Sequence, residues 1–240
     1  MQIMLALTTA VALAGGGVLA LDATERSAPL MPASYYTEQA QLPAKRIVIG
    51  IDLSKSNPLI DDADFAAKVA GRVADAVRNL GFASEVHVRT FGSYDASSNN
   101  FHYDVLISVR NRPETVAAEV QKLIAGTPLL VQRGRWRSQG RTNILAFMDN
   151  VSESLGCGGL PTTVILASDG VEDSEYAHLG DLDGHLPRPD GHPFAGCAEM
   201  QILGLGVGTG SPRHTVHLRE EWNRWALAAG FRRFAGLNDW

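Results

Sequence analysis

Several features that define whole classes of protein are missing from this sequence. Its formal net charge is −5, so no excess of positive charge is present to attract nucleic acid. No segment repeats, and no low-complexity block occurs. The Gly-x-Ser-x-Gly elbow and the Ser-His-Asp order of serine hydrolases are absent as well. With 45% hydrophobic and 20% charged residues, the composition is that of an ordinary globular protein.

Two further sequence motifs are present only in part. Three histidines recur every seven residues between 178 and 192, whereas a zinc site usually requires tighter spacing. We interpret them as incidental residues of a loop. Alternate glycines at 204–210 resemble a dinucleotide-binding loop, but Thr209 or Ser211 occupies the position of its third glycine, depending on the register. Close backbone packing at the end of a strand explains these glycines better.

Charged side chains are also absent from the first twenty-one residues. This mostly apolar segment contains Val-Leu-Ala, a small-residue pattern typical of signal cleavage after Ala20. Three adjacent glycines at 15–17 argue against a buried helix, because glycine weakens a helix interior. We predict a cleaved export signal over residues 1–20, and the alternative is an uncleaved membrane anchor. The protein is therefore expected in the periplasm or outside the cell, and a membrane is expected as a partner only if that anchor remains.

The rest of the chain divides by composition into a tether and a domain. Residues 21–44 contain three prolines and no sustained hydrophobic period, which predicts a tether. Residues 45–240 are predicted to form one domain. Six runs in it predict strands, at 47–51, 85–91, 103–109, 163–167, 200–207 and 231–237. Apolar positions at helical spacing predict helices over about 62–80, 113–124, 142–155 and 216–229. This alternation indicates a doubly wound, mostly parallel α/β sheet with helices on both faces.

The two cysteines, Cys157 and Cys197, each precede a predicted core strand. In an exported protein such a pair favours one disulfide. If the two strands are neighbours, both cysteines lie at the sheet edge opposite the carboxyl ends of the strands. Two buried free thiols are the alternative, and a catalytic thiol lacks a matching histidine pattern.

Two aspartates stand where ligands collect in such a sheet, beyond the carboxyl ends of its strands. Asp52 directly follows the first predicted strand, and Asp169 follows the strand that ends at Ala167. If these two strands are neighbours, both carboxylates open onto one cleft.

Three hydroxyl side chains complete a set of oxygen donors. Ser54 and Ser56 follow Asp52 at alternate positions, and Thr142 precedes a predicted helix. With Asp169 they form an all-oxygen set, which suits Mg²⁺ first and Mn²⁺ or Ca²⁺ as alternatives. Two carboxylates among weak neutral donors leave the cation electrophilic, so a carboxylate from outside can replace one of its waters.

The five residues, in this order and placement, resemble the metal-ion-dependent adhesion site of von Willebrand factor type A domains. The similarity covers about residues 45–240 and rests on three segments: Asp52-x-Ser54-x-Ser56 after an apolar strand, Gln139-Gly140-Arg141-Thr142-Asn143-Ile144 before a helix, and Ser168-Asp169-Gly170 after a strand. The resemblance implies that the serines and the threonine contact the metal and that the aspartates act through water. It also implies one antiparallel strand at the sheet edge, near residues 103–109.

Two departures from that family pattern lead to further expectations. The stretch between Ser56 and Thr142 is long, which indicates an insertion at 92–100 or 129–140. No helix is predicted after residues 231–237, although many family members have one that relays metal occupancy. The resemblance therefore does not imply such a relay for this chain. The sheet face that this helix would cover is expected to be covered by another part of the chain.

A basic loop lies just ahead of Thr142 and consists of Arg133, Arg135, Trp136, Arg137 and Arg141. A solvated loop is the default interpretation. The functional alternative is a second contact surface for an acidic or phosphate-bearing partner, because arginine pairs with carboxylates and tryptophan can anchor an interface.

The sequence therefore predicts a non-enzymatic, exported binding module that presents a divalent cation to an exposed Asp or Glu of a protein partner. One alternative is a structural subunit of a cell-envelope assembly, in which the metal only stabilises loops. A metal-dependent phosphohydrolase is the other alternative. Phosphatases of the haloacid dehalogenase type place an aspartate after the first strand, but they require a second one where this chain has Ser54.

Overall fold

The computed structural model describes residues 31–93 and 101–238. The described residues from 33 onward form one compact unit. The helices are α1 (Ala33–Gln41), α2 (Ala63–Arg78), α3 (Pro113–Ala125), α4 (Thr127–Gln132), α5 (Ile144–Ser154) and α6 (Pro212–Ala229). The strands are β1 (Arg46–Asp52), β2 (Glu85–Phe91), β3 (His102–Leu106), β4 (Thr162–Ala167), β5 (Glu199–Leu203) and β6 (Phe234–Leu237). Among these described residues, no helix combines the length and apolarity needed to cross a membrane.

The six strands form one sheet in the order β3-β2-β1-β4-β5-β6. Strands β2 and β3 are antiparallel, and every other neighbouring pair is parallel. The predicted α/β class, with a mostly parallel sheet and one antiparallel edge strand, is therefore confirmed. The order reverses on either side of β1, which makes the carboxyl end of β1 the place where a ligand cleft is expected.

Strand β1 lies inside the sheet, between β2 and β4, and is buried on both faces. Its alternate residues Ile47, Ile49 and Ile51 pack against α2 and α3, whereas Val48 packs on the opposite face against α5 and α6. This explains the unbroken apolar run, since a strand covered on both sides has no polar face. Asp62 caps the N-terminus of α2, and its carboxylate accepts hydrogen bonds from the amides of Asp64 and Phe65 in the first turn.

An irregular segment, residues 171–198 between β4 and β5, covers part of the sheet face on which α5 and α6 pack. This segment contributes the buried side chains Leu179, Leu186 and Phe194 to the cluster formed with α5 and α6. The ring of Phe194 stacks on Phe231, with their centroids 4.5 Å apart. Apolar side chains of a loop therefore contribute to the core on this face of the sheet.

The predicted tether over residues 21–44 requires a correction at its second half. Residues 33–41 form α1, and the compact unit begins at residue 33 instead of 45. The hydroxyl of Tyr35 donates a hydrogen bond of 2.8 Å to Glu114 of α3, which attaches this helix to the domain. The helix has only one buried residue, Gln39, so its sequence carries almost no apolar period. The predicted export signal over residues 1–20 lies outside the described residues.

Strand β5 is shorter than predicted because glycines end it. Gly204 has a φ of +113°, and a Cβ atom there would lie 2.9 Å from the carbonyl oxygen of Ser168. Gly206 has a φ of +75°, and its amide donates to the carbonyl of Asp169 at 2.8 Å. The glycines at 204 and 206 therefore allow the backbone to pass close to the loop that carries Asp169, as the close-packing interpretation predicted.

The predicted disulfide is confirmed. Cys157 and Cys197 are bonded, with their Cα atoms 5.0 Å apart. They lie just before β4 and β5, at the sheet edge opposite to Asp52 and Asp169. The bond joins residues 40 positions apart and fixes the end of the irregular segment beside the strands.

Removal of this disulfide should lower stability without affecting the opposite edge of the sheet. We expect the double substitution Cys157→Ser and Cys197→Ser to reduce the free energy of unfolding by about 2–4 kcal/mol, because the unfolded chain gains conformational freedom. Urea unfolding followed by circular dichroism measures the difference. An equal stability of the oxidised protein and the double variant would contradict this expectation.

Candidate metal centre

The two predicted carboxylates emerge from neighbouring strands. Strands β1 and β4 pair in parallel, with Ile51 opposite Ala167. Asp52 ends β1 and is fully buried, and Asp169 lies two residues beyond β4 with 2% of its surface exposed. The sheet therefore brings both aspartates to the same edge, as the sequence predicted.

The carboxylate of Asp52 is held by two neutral donors. Its Oδ1 accepts a hydrogen bond of 2.8 Å from the amide of Ser54, and its Oδ2 accepts one of 2.7 Å from the hydroxyl of Ser168. The same Ser168 hydroxyl accepts from the amide of Gly170 at 3.0 Å. No positively charged group contacts Asp52 within the described residues, so its negative charge is not neutralised by an ion pair.

Asn57, which the sequence did not single out, fixes the two strand ends to each other. Its side-chain amide donates to the carbonyl of Asp52 at 2.8 Å and to the carbonyl of Ala167 at 3.1 Å. The side chain is fully buried. Asn57 therefore sets the spacing between the ends of β1 and β4, and with it the spacing of the two aspartates.

Ser54 and Ser56 connect the two carboxylates. Their hydroxyl oxygens are 3.3 Å apart. The Ser54 side chain interacts with Asp52, and the Ser56 side chain interacts with Asp169. Ser54 is 1% exposed, whereas Ser56 is exposed. Alternate residues after the strand thus place both hydroxyls between the two acids.

Thr142 is brought to the same place by backbone pairing. Its amide and carbonyl pair with those of Asp173 at 3.3 and 2.9 Å, and Gln139, three residues earlier, forms a bridge with Ser54. The side chain is 2% exposed. Nevertheless, its hydroxyl forms no hydrogen bond within the part of the chain that the structure describes. Thr142 lines an open cavity, so its hydroxyl oxygen is available to a ligand from outside the chain.

A cavity of about 550 Å³ opens beside these hydroxyls. Ser54, Ser56 and Thr142 all line it. Asp52 and Asp169 are connected to it through Ser54 and Ser56. Three of the five predicted site residues therefore line one cavity, and the two aspartates lie buried behind the two serines.

Burial and mutual repulsion raise the pKa values of the two aspartates. Burial is the main cause that raises the pKa of Asp52 to about 7, and the charge of Asp169 adds to it. Burial also raises the pKa of Asp169. Such shifts show that the folded chain by itself does not offset two negative charges here, and a bound cation would do so.

A third buried acid, Glu172, was not predicted. It is fully buried, and burial raises its pKa to about 8. Its carboxylate accepts hydrogen bonds from the amides of Ile144 at 2.8 Å and Leu145 at 3.3 Å, in the first turn of α5. An acid at a helix N-terminus is favourable, and this one attaches the segment after Asp169 to the helix that follows Thr142.

These raised pKa values predict how the stability of the metal-free protein depends on pH. A carboxyl group whose pKa is higher in the folded state contributes stability below its unfolded pKa, and this contribution is lost as the pH rises through its folded pKa. For Asp52 and Glu172 the loss extends from about pH 4 to about pH 8. We expect the free energy of unfolding to fall by several kcal/mol between pH 5 and 8 in the presence of chelator.

Urea unfolding at several pH values measures this loss. Addition of Mg²⁺ should offset this loss of stability above pH 6, because the cation binds to the ionised form of the carboxylates. A stability in chelator that rises steadily between pH 5 and 8 would contradict the assignment of these buried acids.

The donor set fits a hard divalent cation. No group of three or more His, Cys, Asp or Glu side chains suited to a metal occurs in the described ranges 31–93 and 101–238. A cation at this cleft must therefore bind through hydroxyl oxygens as well as carboxylates. Two acids with raised pKa values, together with the unpartnered hydroxyl of Thr142, are the features that such an ion would satisfy.

The basic loop ahead of Thr142 requires one correction. Trp136 is only 9% exposed and packs on Phe101, with ring centroids 5.7 Å apart, so it does not anchor a partner. The flanking arginines suggested a surface position, but the ring fills the space beside β3. The four arginines of the loop are exposed: Arg133, Arg135, Arg137 and Arg141. They remain a predicted contact surface.

Comparison with models of known protein families found no match, and comparison with curated proteins found none either. The assignment of a function therefore rests on the geometry of the cleft.

Proposed function

We propose that this chain is a metal-dependent protein-binding module of the von Willebrand factor type A kind. A divalent cation, Mg²⁺ in the first place, is held by the five residues Asp52, Ser54, Ser56, Thr142 and Asp169. The exposed side of the cation accepts an Asp or Glu side chain of a protein partner. The observation that carries this proposal is that Thr142, whose hydroxyl forms no hydrogen bond within the described chain, lines the same cavity as the two serines.

The charge balance favours binding of an anion from outside. The three proposed direct ligands are neutral hydroxyls, and the two carboxylates are proposed to act through water, so little negative charge would touch the dication directly. An ion bound in this way would supply an electrophilic position that can exchange water for a carboxylate. Ser54, Ser56 and Thr142 are proposed to contact it directly, and the two aspartates to act through water. The volume of the cavity, about 550 Å³, is sufficient for an acidic side chain of a partner.

The compartment proposed for this activity is the periplasm or the extracellular space. The Cys157–Cys197 disulfide supports an oxidising environment. The proposed export signal at residues 1–20 would direct the chain there.

The substitution Thr142→Val tests the metal site with little disturbance of the fold. Valine has nearly the same shape as threonine, and the lost hydroxyl has no hydrogen bond within the described chain. We therefore expect a change of less than about 1 kcal/mol in the stability of the metal-free protein. The affinity for Mg²⁺ should fall about tenfold or more, as measured by calorimetric titration of the full chain.

Thr115→Val is the matched control, because Thr115 is an exposed threonine on α3. Its affinity for Mg²⁺, Mn²⁺ and Ca²⁺ should equal that of the unmodified protein. Equal metal affinities of the two valine variants would refute the role of Thr142. Binding of Glu-containing peptides should also require the cation, so binding that persists in chelator would refute the role of the metal in recognition.

A metal-dependent phosphohydrolase is the second candidate, and one observation favours it. His178 and Asp173 form a pair, with Nδ1 2.7 Å from Oδ1, and both residues line the cavity. Such a pair can act as a general base in hydrolysis. Hydrolysis of p-nitrophenyl phosphate that disappears in Asp52→Asn would favour this candidate over the binding module.

A further inference from the structure

A second cavity lies between α6 and the irregular segment. Its volume is about 420 Å³, and it shares no lining residue with the cavity beside Ser54 and Thr142. We call it the α6 pocket. Apart from two arginines, its lining is apolar and consists of Leu186, Pro187, Pro189, Trp225 and Ala228. The proposed function makes no use of this pocket.

The walls of the α6 pocket are fixed to each other by hydrogen bonds. The amide of Leu186 donates a hydrogen bond of 2.8 Å to the buried carboxylate of Glu221 on α6. Further along the segment, Nδ1 of His192 lies 2.8 Å from the carbonyl oxygen of Ala228. Between these two contacts, two prolines restrict the backbone. The pocket is therefore formed before any ligand binds, as is usual for small-molecule sites.

Two arginines give the α6 pocket a positive charge. Arg188 lines it, is exposed, and forms no ion pair or hydrogen bond within the described residues. Arg224 also lines it, is 57% exposed, and contacts Glu221 through one of its nitrogens. A guanidinium carries five N–H donors, so Arg224 retains donors for a ligand. Within the described ranges no carboxylate lines the pocket, so an anion that enters it meets two cationic groups.

The indole N–H of Trp225 is a third donor. Trp225 is only 4% exposed, and its ring packs against Phe194 and Trp222, with centroids 6.2 and 5.8 Å apart. The N–H of Trp222 donates to the carbonyl of Gly170, whereas that of Trp225 forms no hydrogen bond within the described chain. A tryptophan buried to this extent usually has a partner for its N–H. Because Trp225 lines the α6 pocket, its N–H is available to an acceptor that enters there.

We propose that the α6 pocket binds a small organic carboxylate with an apolar, ring-bearing body. The carboxylate pairs with Arg188 and Arg224 and accepts from the N–H of Trp225, while the ring lies against the apolar lining. This site requires no cation, and the proposal does not depend on the proposed function. It gives the protein a second ligand of a different chemical class.

The charge and the lining of the pocket together select this chemistry. A planar guanidinium matches a carboxylate through two parallel hydrogen bonds. The apolar lining favours a ligand whose body leaves water when it binds. The volume of about 420 Å³ lies within the range of small-molecule sites, roughly 300–1,000 Å³. An inorganic anion would satisfy the arginines but would leave the apolar lining in contact with water, so it should bind more weakly.

Titration of the full chain with hydrocinnamate, followed by NMR of the indole N–H groups, tests the proposal. The resonance of Trp225 is identified by its absence in Trp225→Phe. We expect it to shift in a saturable manner, with the same dissociation constant in chelator and in Mg²⁺. Hydrocinnamamide has nearly the same shape without the charge, and propionate lacks the ring. Each of these two probes should bind at least about tenfold more weakly than hydrocinnamate.

Two variants assign the carboxylate to the arginines. Arg188→Gln and Arg224→Gln should each weaken hydrocinnamate binding by about fivefold, the upper end of the range for an exposed ion pair, and should leave hydrocinnamamide binding unchanged. Arg213→Gln is the matched control, because it replaces an exposed arginine near the other end of α6 that does not line the pocket. It should bind hydrocinnamate as the unmodified protein does.

Four results would overturn the inference. One is a Trp225 resonance that does not move at millimolar hydrocinnamate. Another is an equal affinity for hydrocinnamate and either its amide or inorganic phosphate, since the pocket would then not select an apolar carboxylate. An unchanged affinity in both arginine variants would contradict their role. Loss of binding in chelator would assign the ligand to the cation instead of the α6 pocket.

Discussion

Replacement of Asp52 with Asn should stabilise the metal-free protein and abolish its stabilisation by Mg²⁺. Asn keeps the shape of the side chain, and its neighbours Ser54 and Ser168 can still form hydrogen bonds with it. It removes a buried negative charge whose pKa is raised by burial and by Asp169. We expect a gain of about 1–2 kcal/mol in the free energy of unfolding at pH 8 in chelator.

With Mg²⁺ present, the unmodified protein should be more stable than Asp52→Asn. The unmodified protein should gain about 3 kcal/mol at a metal concentration one hundred times its dissociation constant, and Asp52→Asn should gain almost nothing. Urea unfolding with and without Mg²⁺ measures both effects. Asp64→Asn is the matched control and should behave as the unmodified protein in both conditions. A variant that loses stability in chelator would show that Asp52 supports the fold in its ionised form without a metal.

Substitution of Trp222 should have the largest effect on stability. This side chain is fully buried on α6, and its Nε1 donates a hydrogen bond of 2.7 Å to the carbonyl of Gly170. Its ring meets Trp225 edge to face, with centroids 5.8 Å apart. We expect Trp222→Ala to lower the free energy of unfolding by about 3–5 kcal/mol, because it removes a large apolar group and leaves a cavity.

The variant Trp222→Phe separates packing from the hydrogen bond. Phenylalanine retains much of the ring but leaves the carbonyl of Gly170 without its partner, at a cost of about 1–3 kcal/mol. Since Gly170 directly follows Asp169, both variants should also weaken Mg²⁺ binding. A loss below about 1 kcal/mol for Trp222→Ala in urea unfolding would contradict the assigned packing.

The strands could be predicted where their buried positions form a recognisable pattern of apolar residues in the sequence. The bounds of β2, Glu85–Phe91, agree with the prediction, and β1 was recognised from its apolar run. Strand β5 ended earlier than predicted, at Leu203, because apolar residues continue past the glycines that turn the backbone. Helix α1 was missed because a helix with one buried residue has no apolar stripe.

The sequence predicted those parts of the candidate site whose position follows from the ends of the strands. The five oxygen-bearing residues could be grouped from the sequence because β1 and β4 are neighbours and the chain order is typical of the family they resemble. Asn57 and Glu172 were not identified. Both are single polar residues in loops, where burial follows from tertiary contacts and not from a periodic pattern. Trp136 was placed at the surface because its arginine neighbours are exposed.

The packing of the irregular segment between β4 and β5 could not be predicted from the sequence. Its buried residues Leu179, Leu186 and Phe194 follow no helical or strand period. Two contacts with α6 hold it in place: Nε2 of His214 donates to the carbonyl of Leu179, and the carboxylate of Glu221 accepts from the amide of Leu186. Such contacts depend on partners far away in the chain, which no local pattern reveals.

Crystals of the full chain grown with Mn²⁺ would test the central claim most directly, through anomalous scattering at the manganese edge. The account predicts one strong peak in the cavity, within coordination distance of the hydroxyls of Ser54, Ser56 and Thr142, and its loss in Asp52→Asn. A cavity without such a peak at millimolar Mn²⁺, or a peak that survives the substitution unchanged, would contradict the account.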